Sequence, residues 1–181
     1  RKHNWTEFPS EIYKMNALKV MQINHGPLQT IRNDVNTKFE KLSTLDLSYN
    51  KLIQVPDSLG KLEYNRLKLA NNELKSLPDV VWENEHIYYL ELDNNNISMI
   101  PGASVQKAKN LHDIYLSNNS LIMLPNELFD LNLITLMADG NKLTSISSNI
   151  GAAINLRYVK FNNNNNISIV PEEIGNLAQL F

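Results

Sequence analysis

Asp93 and Asp113 are the two side chains whose types and spacing come closest to an acid–base pair, because they fall on neighbouring predicted strands. Paired carboxylates catalyse reactions such as glycoside hydrolysis when their surroundings hold one of them protonated. Holding one protonated requires a pocket that excludes water, and the open sheet face predicted below offers none. We therefore interpret the pair as a solvated acidic patch, and no catalytic residue is predicted.

Metal and nucleotide chemistry have even less support in the sequence. The chain contains no cysteine, which excludes thiolate metal ligands and disulfides within this segment. It contains no glycine-rich phosphate loop and no nucleophile elbow. The histidines are scattered over different segments and positions: His3, His25, His86 and His112. The sequence therefore predicts no metal site, no cofactor and no enzymatic activity.

The composition of the 181 residues, 43% of them hydrophobic, is that of a folded protein. The formal net charge of −2 leaves no basic excess for phosphate backbones, so nucleic acid is not a predicted partner. No apolar run is long enough to span a membrane, and the first residues, RKHNWTEFPSEI, lack the apolar core of a signal peptide. The absence of cysteine favours the cytoplasm over an oxidising compartment.

A repeated motif positions the polar side chains. Residues 42–56, LSTLDLSYNKLIQVP, read L-x-x-L-x-L-x-x-N-x-L-x-x-L-P, and the pattern returns every 22 to 24 residues. A period of this length is typical of one coil of a solenoid. The L-x-L alternation predicts a short strand, and the three-residue spacing of apolar residues after the proline predicts a 3₁₀ or irregular helical turn. The first motif positions are Leu18, Leu42, Tyr64, Ile87, Leu111, Leu133 and Leu156.

Three units depart from this pattern. Gly26 stands where the first unit should have asparagine, and Ala138 takes a leucine position in the sixth unit. The seventh unit has one residue too many between Phe161 and Ile167, for which we predict a bulge.

Both termini fall inside the repeat. Phe8 occupies the position that Val55 takes later, and the apolar pattern continues to Leu180. We therefore interpret residues 1–181 as a single solenoid segment of about seven strand units that starts and ends in mid-repeat. Because the first residue is not methionine, we expect a trimmed or internal piece of a longer protein.

The ninth motif position holds asparagine for a physical reason. Where the chain turns out of each strand, backbone N–H and C=O groups face inward without partners, and each unpaired buried group costs about 1–3 kcal/mol. An asparagine amide both donates and accepts, so that stacked asparagines can satisfy these groups. The predicted structural ladder consists of Asn50, Asn72, Asn95, Asn119 and Asn141.

The seven units resemble the leucine-rich repeat family over essentially the whole chain. The segments VPDSLGKL at 55–62 and VPEEIGNLAQL at 170–180 look most like its proline-containing, 23-residue Ras-binding and scaffold class. LPNELFDL at 124–131 is closer to the form found in extracellular vertebrate receptors. The resemblance implies an α/β solenoid: a curved horseshoe with a parallel β-sheet on the concave face and short 3₁₀ or irregular helical segments on the convex face. It also implies that a protein partner binds the concave face.

Motif positions three, five, seven and eight are expected to face solvent on the concave side. Asp46, Lys68 and Glu91 alternate in sign at position five, and we expect them to neutralise one another across adjacent strands. Exposed aromatic residues nearby favour a protein interface, although tyrosine also suits a sheet surface for structural reasons alone. The predicted partner-binding residues are Tyr89, Glu91, Asp93, Asp113, Tyr115, Met137, Tyr158 and Lys160.

Three functions are compatible with such a segment. The preferred interpretation is a non-catalytic protein-binding module of a larger scaffold or signalling protein. The first alternative is the ligand-binding ectodomain of a cell-surface receptor, and the second is the regulatory arm of a kinase or a cyclase. Glycosylation would favour the receptor, and the possible acceptors, close to the number that chance gives, are Asn4, Asn96, Asn118 and Asn166.

Overall fold

The computed structural model describes residues 3–15, 17–33, 39 and 41–181. Within these residues, seven three-residue strands form one parallel sheet in which each strand pairs with its neighbour along the chain. The strands are β1 Val20–Gln22, β2 Thr44–Asp46, β3 Arg66–Lys68, β4 Tyr89–Glu91, β5 Asp113–Tyr115, β6 Thr135–Met137 and β7 Tyr158–Lys160. Equal motif positions are paired throughout, as in Leu45 with Leu67. The predicted curved α/β solenoid with a parallel sheet is confirmed.

Short helices lie on the opposite side of each coil. In the described part of the chain they are η1 Ser10–Lys14, η2 Asp57–Lys61, α1 Asp79–Trp82, α2 Gly102–Val105, η3 Asn126–Asp130, η4 Ser148–Ala152 and η5 Glu172–Asn176. The η elements are 3₁₀ helices, as predicted, whereas α1 and α2 form single α-helical turns. Most of these helices begin directly after a proline. The fixed φ of proline suits a helix start, and the lack of an N–H is tolerated there because the first N–H groups of a helix have no intrahelical acceptor. Ser147 replaces the proline before η4 and accepts a hydrogen bond from the Asn149 amide at 3.2 Å.

The core consists of the apolar motif positions stacked from coil to coil. Leu47, Leu69 and Leu92 are fully buried at position six of successive units. Larger side chains fill the space toward the helices, and the hydroxyl of the buried Tyr64 donates to the Leu59 carbonyl at 2.9 Å. Since each coil is too small to bury its own apolar face, neighbouring coils supply the contacts that stabilise it.

The eighth motif position has a left-handed backbone in every unit. The φ angles run from 55° to 63°, a region that asparagine and glycine tolerate better than other residues. These residues are His25, Tyr49, Asn71, Asn94, Asn118, Gly140 and Asn163. This turn ends each strand and directs the following asparagine into the interior.

The predicted asparagines lie inside the solenoid with their amides fully engaged. Asn95 is typical: its Nδ2 donates to the carbonyls of Leu69 at 2.9 Å and Leu92 at 3.1 Å, and its Oδ1 accepts from the Leu74 amide at 3.0 Å. The same set of bonds recurs at Asn50, Asn72, Asn119 and Asn141. Asn164 adds a sixth member that the sequence analysis did not single out.

The predicted bulge in the seventh unit is wrong. Strands β6 and β7 keep the regular pairing, with Met137 opposite Lys160. The additional residue lies after Asn164, where the Ile167 amide donates to the Asn164 carbonyl at 3.1 Å and closes a turn. An insertion outside the strand leaves the ladder hydrogen bonds intact, so no bulge is needed.

His3 fills the space left by Gly26 in the first unit. A side chain at Gly26 would collide with the His3 imidazole, which faces the Asn50 side chain and the Ile23 backbone. Burial lowers the pKa of His3, because the charged form loses solvation. Among the described residues the His3 Nε2 is buried without a hydrogen-bond partner, so the imidazole occupies the space beside Gly26 but does not reproduce the bonds of a ladder asparagine.

The seventh coil is less covered than the coils before it. Val159 is partly exposed, whereas Leu136 at the same motif position of the sixth coil is fully buried. The Phe181 amide donates to the Arg157 carbonyl at 2.9 Å. The Arg157 amide donates to the Ile134 carbonyl of the preceding coil in the same way. Phe181 therefore occupies the second position of a further coil, with 90% of its surface exposed. None of the described helices is long and apolar enough to cross a membrane.

Candidate protein-binding face

The strands present their third and fifth motif positions on the side of the sheet opposite the leucine core. Five of the predicted partner-binding residues lie there on β4, β5 and β6, and Asp93 lies two residues after β4, at the seventh motif position. Tyr89 is paired with Asp113, and Glu91 is followed across the sheet by Tyr115 and Met137. All of these side chains are partly exposed. The two remaining predicted residues, Tyr158 and Lys160, lie on β7 and are exposed.

Two tyrosine rings form the centre of this face. The ring centroids of Tyr89 and Tyr115 are 5.1 Å apart, with the planes tilted by 42°. The Tyr89 hydroxyl donates to Glu91 Oε2 at 2.9 Å, which fixes the first ring. Aromatic pairs in such arrangements contribute about 0.5–1.5 kcal/mol beyond the area that they bury. The two rings are therefore a rigid, partly apolar platform.

Cations from β3 cover the Tyr89 ring. The guanidinium carbon of Arg66 lies 4.9 Å from its centroid, and the Lys68 ammonium lies 5.4 Å from it. Arg66 is oriented by a hydrogen bond of 2.9 Å from its Nε to the Tyr88 hydroxyl. Arg66 and Tyr88 were not predicted from the sequence, although their motif positions, three and two, place them beside the predicted site.

The expected neutralisation at position five is half correct. Lys68 Nζ and Glu91 Oε2 form an ion pair at 3.2 Å. Asp46 makes no ion pair with Lys68; it is buried and accepts hydrogen bonds from the Asn24 side chain at 2.9 Å and from the Ser48 amide at 3.0 Å. The difference follows from energetics, because backbone and amide donors satisfy a buried carboxylate without ordering a long lysine side chain.

Asp93 bonds to the following coil. Its Oδ1 accepts from the Ser117 amide at 2.6 Å, and Asp139 bonds to the Asn162 amide at 2.9 Å in the same relation. Burial, the hydrogen bonds with Ser117, and the charges of Glu91 and Asp139 together raise the pKa of Asp93 to about 6; burial is the largest cause, and Ser117 acts in the opposite direction. Asp93 is thus a carboxylate whose ionisation is penalised by its surroundings.

The tyrosine hydroxyls remain neutral near pH 7. Burial and the hydrogen bond to Glu91 raise the pKa of Tyr89, and burial with the charge of Asp113 raises that of Tyr115. The face therefore combines neutral phenols with carboxylates. The four described cavities are lined by other residues and include none of Tyr89, Asp93, Asp113 and Tyr115.

The other candidate groups lie elsewhere. Among the residues that the structure describes, no cluster of three or more His, Asp or Glu side chains is arranged to hold a metal ion. His25 stacks on Tyr49 with centroids 4.4 Å apart. A cavity of about 630 Å³ lies on another side of the coils, lined by residues such as Gln54 and Pro78, and includes none of the predicted partner-binding residues. The four possible glycosylation acceptors, Asn4, Asn96, Asn118 and Asn166, are exposed.

The family described as Leucine rich repeat matches residues 85–143 in one form and residues 41–62 and 155–177 in another. These matches together cover more than half of the chain. They include the strands β2, β4, β5, β6 and β7, and thus the strands that carry Tyr89 and Tyr115.

Two curated proteins illustrate the range of its relatives. Osteomodulin of Bos taurus is 32% identical over 146 residues, which cover 78% of this chain and 34% of that protein. Adenylate cyclase of Schizosaccharomyces pombe is 27% identical over 189 aligned positions, which cover 96% of this chain and 11% of that protein. The chain thus spans only about a third or less of the length of these proteins.

Solved structures agree with the fold. A leucine-rich repeat protein of Leptospira interrogans superimposes with a TM-score of 0.90 at 28% identity, over 96% of this chain and 44% of that one. The plant peptide hormone receptor RGFR1, solved in complex with RGF2, superimposes with a TM-score of 0.79 at 20% identity, over 96% of this chain and 32% of that one. The second likeness concerns the fold alone.

Proposed function

Because the chain belongs to the leucine-rich repeat family, we propose that it is a non-catalytic protein-binding module that receives its partner on the concave face. The observation that carries this proposal is the tilted pair of Tyr89 and Tyr115 on an open sheet face. Tyrosine is enriched among residues that anchor protein interfaces, since it offers a large contact area at a low entropic cost.

The surroundings of the pair support an interface. Met137 lies beside Tyr115 and is partly exposed, so that the aromatic surface continues into a flexible apolar side chain. Cations of β3 and carboxylates of β4 and β5 border this surface, as polar groups border the apolar centre of protein interfaces. The predicted residues Tyr158 and Lys160 extend the face toward the seventh coil.

A larger protein is part of the proposal. In this proposal the module is part of a larger scaffold or signalling protein. The proline-containing form of the repeats supports that assignment. The high coverage of this chain by the fission yeast adenylate cyclase favours a regulatory arm of such an enzyme as one form of this function.

The receptor ectodomain is a second candidate. Its supporting observation is the exposure of all four possible glycan acceptors. Mass spectrometry of native material distinguishes the two compartments. Glycans on Asn96 or Asn118 would exclude a cytosolic home, whereas unmodified asparagines at all four acceptors would remove the support for the receptor.

Site-specific photo-crosslinking tests the binding face. A benzoyl-phenylalanine at Met137 on the concave face is expected to capture a protein, and one at the exposed Gln106, next to α2 on the convex side, is the matched control. The captured protein is identified, purified and titrated against the chain with Tyr89→Ala and Tyr115→Ala combined. Loss of at least about tenfold in affinity is expected for two interface anchors. Capture only at Gln106, or unchanged affinity of the double variant, would overturn the concave site.

A further inference from the structure

Negative charge is concentrated on three coils of the concave face. The outward positions three, five and seven of the fourth, fifth and sixth coils carry no Lys or Arg, and the formal charge of the whole chain is only −2. Lys68 from the third coil neutralises Glu91. The carboxylates of these coils are Glu91, Asp93, Asp113 and Asp139. A partner that covers this surface must therefore supply positive charge or leave the carboxylates desolvated and unpaired.

The two tyrosine rings differ in what covers them. Arg66 and Lys68 lie over the Tyr89 ring at 4.9 and 5.4 Å from its centroid. No Lys or Arg of the described residues lies over the Tyr115 ring, although the negative charges of Asp113, Glu91 and Asp93 all act on that side chain. The described part of the chain therefore contains one tyrosine ring with cations on its face and an adjacent ring that has negatively charged neighbours and no such cations.

Asp113 retains its full capacity to accept hydrogen bonds. Among the described residues no donor bonds to its carboxylate, and its neighbour Arg66 is engaged with Tyr88. Asp93 uses Oδ1 for the Ser117 amide and is also within reach of the Ser117 side chain, so Asp113 has the greater remaining capacity of the two carboxylates. Carboxylates at the edge of an aromatic ring are the arrangement that binds guanidinium and ammonium groups in proteins.

Building on the proposed function, we propose that the Tyr115 ring, with Asp113 and Asp93 beside it and Met137 next to it, receives an arginine or lysine side chain from a basic segment of the bound protein. The cation lies on the ring face and donates to Asp113, in the way that Arg66 and Lys68 cover Tyr89. The Met137 side chain contacts the aliphatic stem of the same residue. The partner chemistry is thus a basic polypeptide segment.

A peptide titration followed by NMR tests the cation requirement. The probes are a peptide of repeated Gly-Ser-Arg units, the same peptide with lysine, and a matched peptide with citrulline, which is neutral and nearly isosteric with arginine. We expect the cationic peptides to shift the ring resonances of Tyr115 and to bind more weakly as salt increases. Equal binding of the citrulline peptide, or shifts that avoid Tyr115, would overturn the inference.

Variants separate the ring from the carboxylate. Tyr115→Ala and Asp113→Asn are each expected to weaken the arginine peptide by about two- to fivefold, the range of an exposed cation–π contact or ion pair. Tyr115→Phe keeps the ring face and is expected to bind within about twofold of the unsubstituted chain. Tyr49→Ala, which removes an exposed tyrosine of the second coil, is the matched control and is expected to leave binding unchanged. Should Tyr115→Ala lose its fold by circular dichroism, Asp113→Asn decides the question alone.

Failure of the basic-segment inference can be distinguished from failure of the proposed function. If crosslinking at Met137 captures a partner whose contact segment is neutral or apolar, the basic-segment inference is wrong and the concave site stands. If Met137 captures only a second copy of this chain, the inference is also wrong, since the partner would carry the same acidic face. Capture only at Gln106 would overturn both proposals.

Discussion

The side-chain amide of Asn72 donates a hydrogen bond of 3.1 Å to the carbonyl of Leu47, which belongs to the preceding coil. The same Nδ2 donates to Leu69 in its own coil at 3.0 Å, and Oδ1 accepts from the Leu52 amide at 3.0 Å. One buried side chain thus joins two coils and satisfies three backbone groups that no strand or helix pairs. Because the same bonds recur along the solenoid, the stability of the chain depends on the contacts between neighbouring coils.

We expect Asn72→Ala and Asn95→Ala each to lower the free energy of unfolding by about 3 kcal/mol, because each leaves several buried backbone groups unpaired. Thermal and urea denaturation measure the effect. Asn96→Ala is the matched control, since Asn96 is exposed and adjacent in sequence to Asn95, and it is expected to change stability by less than about 0.5 kcal/mol. Unchanged melting temperatures for both ladder variants would show that the amide network does not stabilise the coils.

A second prediction concerns the left-handed turn at the eighth motif position. Gly140 has a φ of 63°, and a Cβ there would collide with the Asn118 side-chain oxygen. Gly140→Ala is therefore expected to destabilise the chain by about 1–2 kcal/mol. Gly175→Ala is the control, because a Cβ at Gly175 meets no atom within 4 Å. Equal denaturation midpoints for the two variants would contradict the assigned strain.

Much of the fold follows from the sequence, because the solenoid repeats one solution seven times. Pairing of equal motif positions is enough to predict that Tyr89 lies on a strand adjacent to that of Asp113 and Tyr115, as the structure has them. The bulge was mispredicted because a run of five asparagines, residues 162–166, offers several candidates for the ladder position. Only the three-dimensional structure identifies Asn164 as that residue and moves the insertion into the following turn.

The contacts within the candidate site were less predictable. Motif spacing defines which residues face outward, but it does not define which donors a carboxylate selects. Asp46 was expected to meet Lys68 and instead bonds to Asn24 and Ser48. Arg66 lies over Tyr89 because long side chains reach across strands, a choice of rotamer that spacing does not encode. The left-handed backbone at the eighth motif position could have been predicted from the sequence, because asparagine or glycine recurs there.

A third prediction concerns pH. The pKa of Asp93 is about 6 in the folded chain and near 3.8 when unfolded, so the folded state binds more protons between these values. The stability contribution of Asp93 therefore falls as pH rises from about 4 to about 6 and stays low above that range. We expect Asp93→Asn to stabilise the chain by about 1–2 kcal/mol at pH 7 and much less at about pH 4, while its amide oxygen still accepts from Ser117. Carbon-detected NMR of the Asp93 carboxyl, together with urea denaturation at both pH values, measures it. A carboxyl midpoint near pH 4, or equal stabilisation at both pH values, would contradict the assignment.

The last prediction concerns the seventh coil, whose apolar side chains no further coil covers within the described residues. Ile169 is 75% exposed, Phe181 is 90% exposed, and Val159 lacks the full burial of Leu136. A version of the chain followed by a designed polar capping coil is expected to gain at least about 1–2 kcal/mol, which corresponds to about 2–8 °C in Tm. It is also expected to remain monomeric at higher concentration, as measured by light scattering, because the apolar patch is covered. The control is a flexible glycine–serine tail of equal length, which adds residues without packing on β7. A sharp, reversible, high-temperature melt of residues 1–181 as a monomer, unchanged by the cap, would show that the seventh coil already stabilises itself.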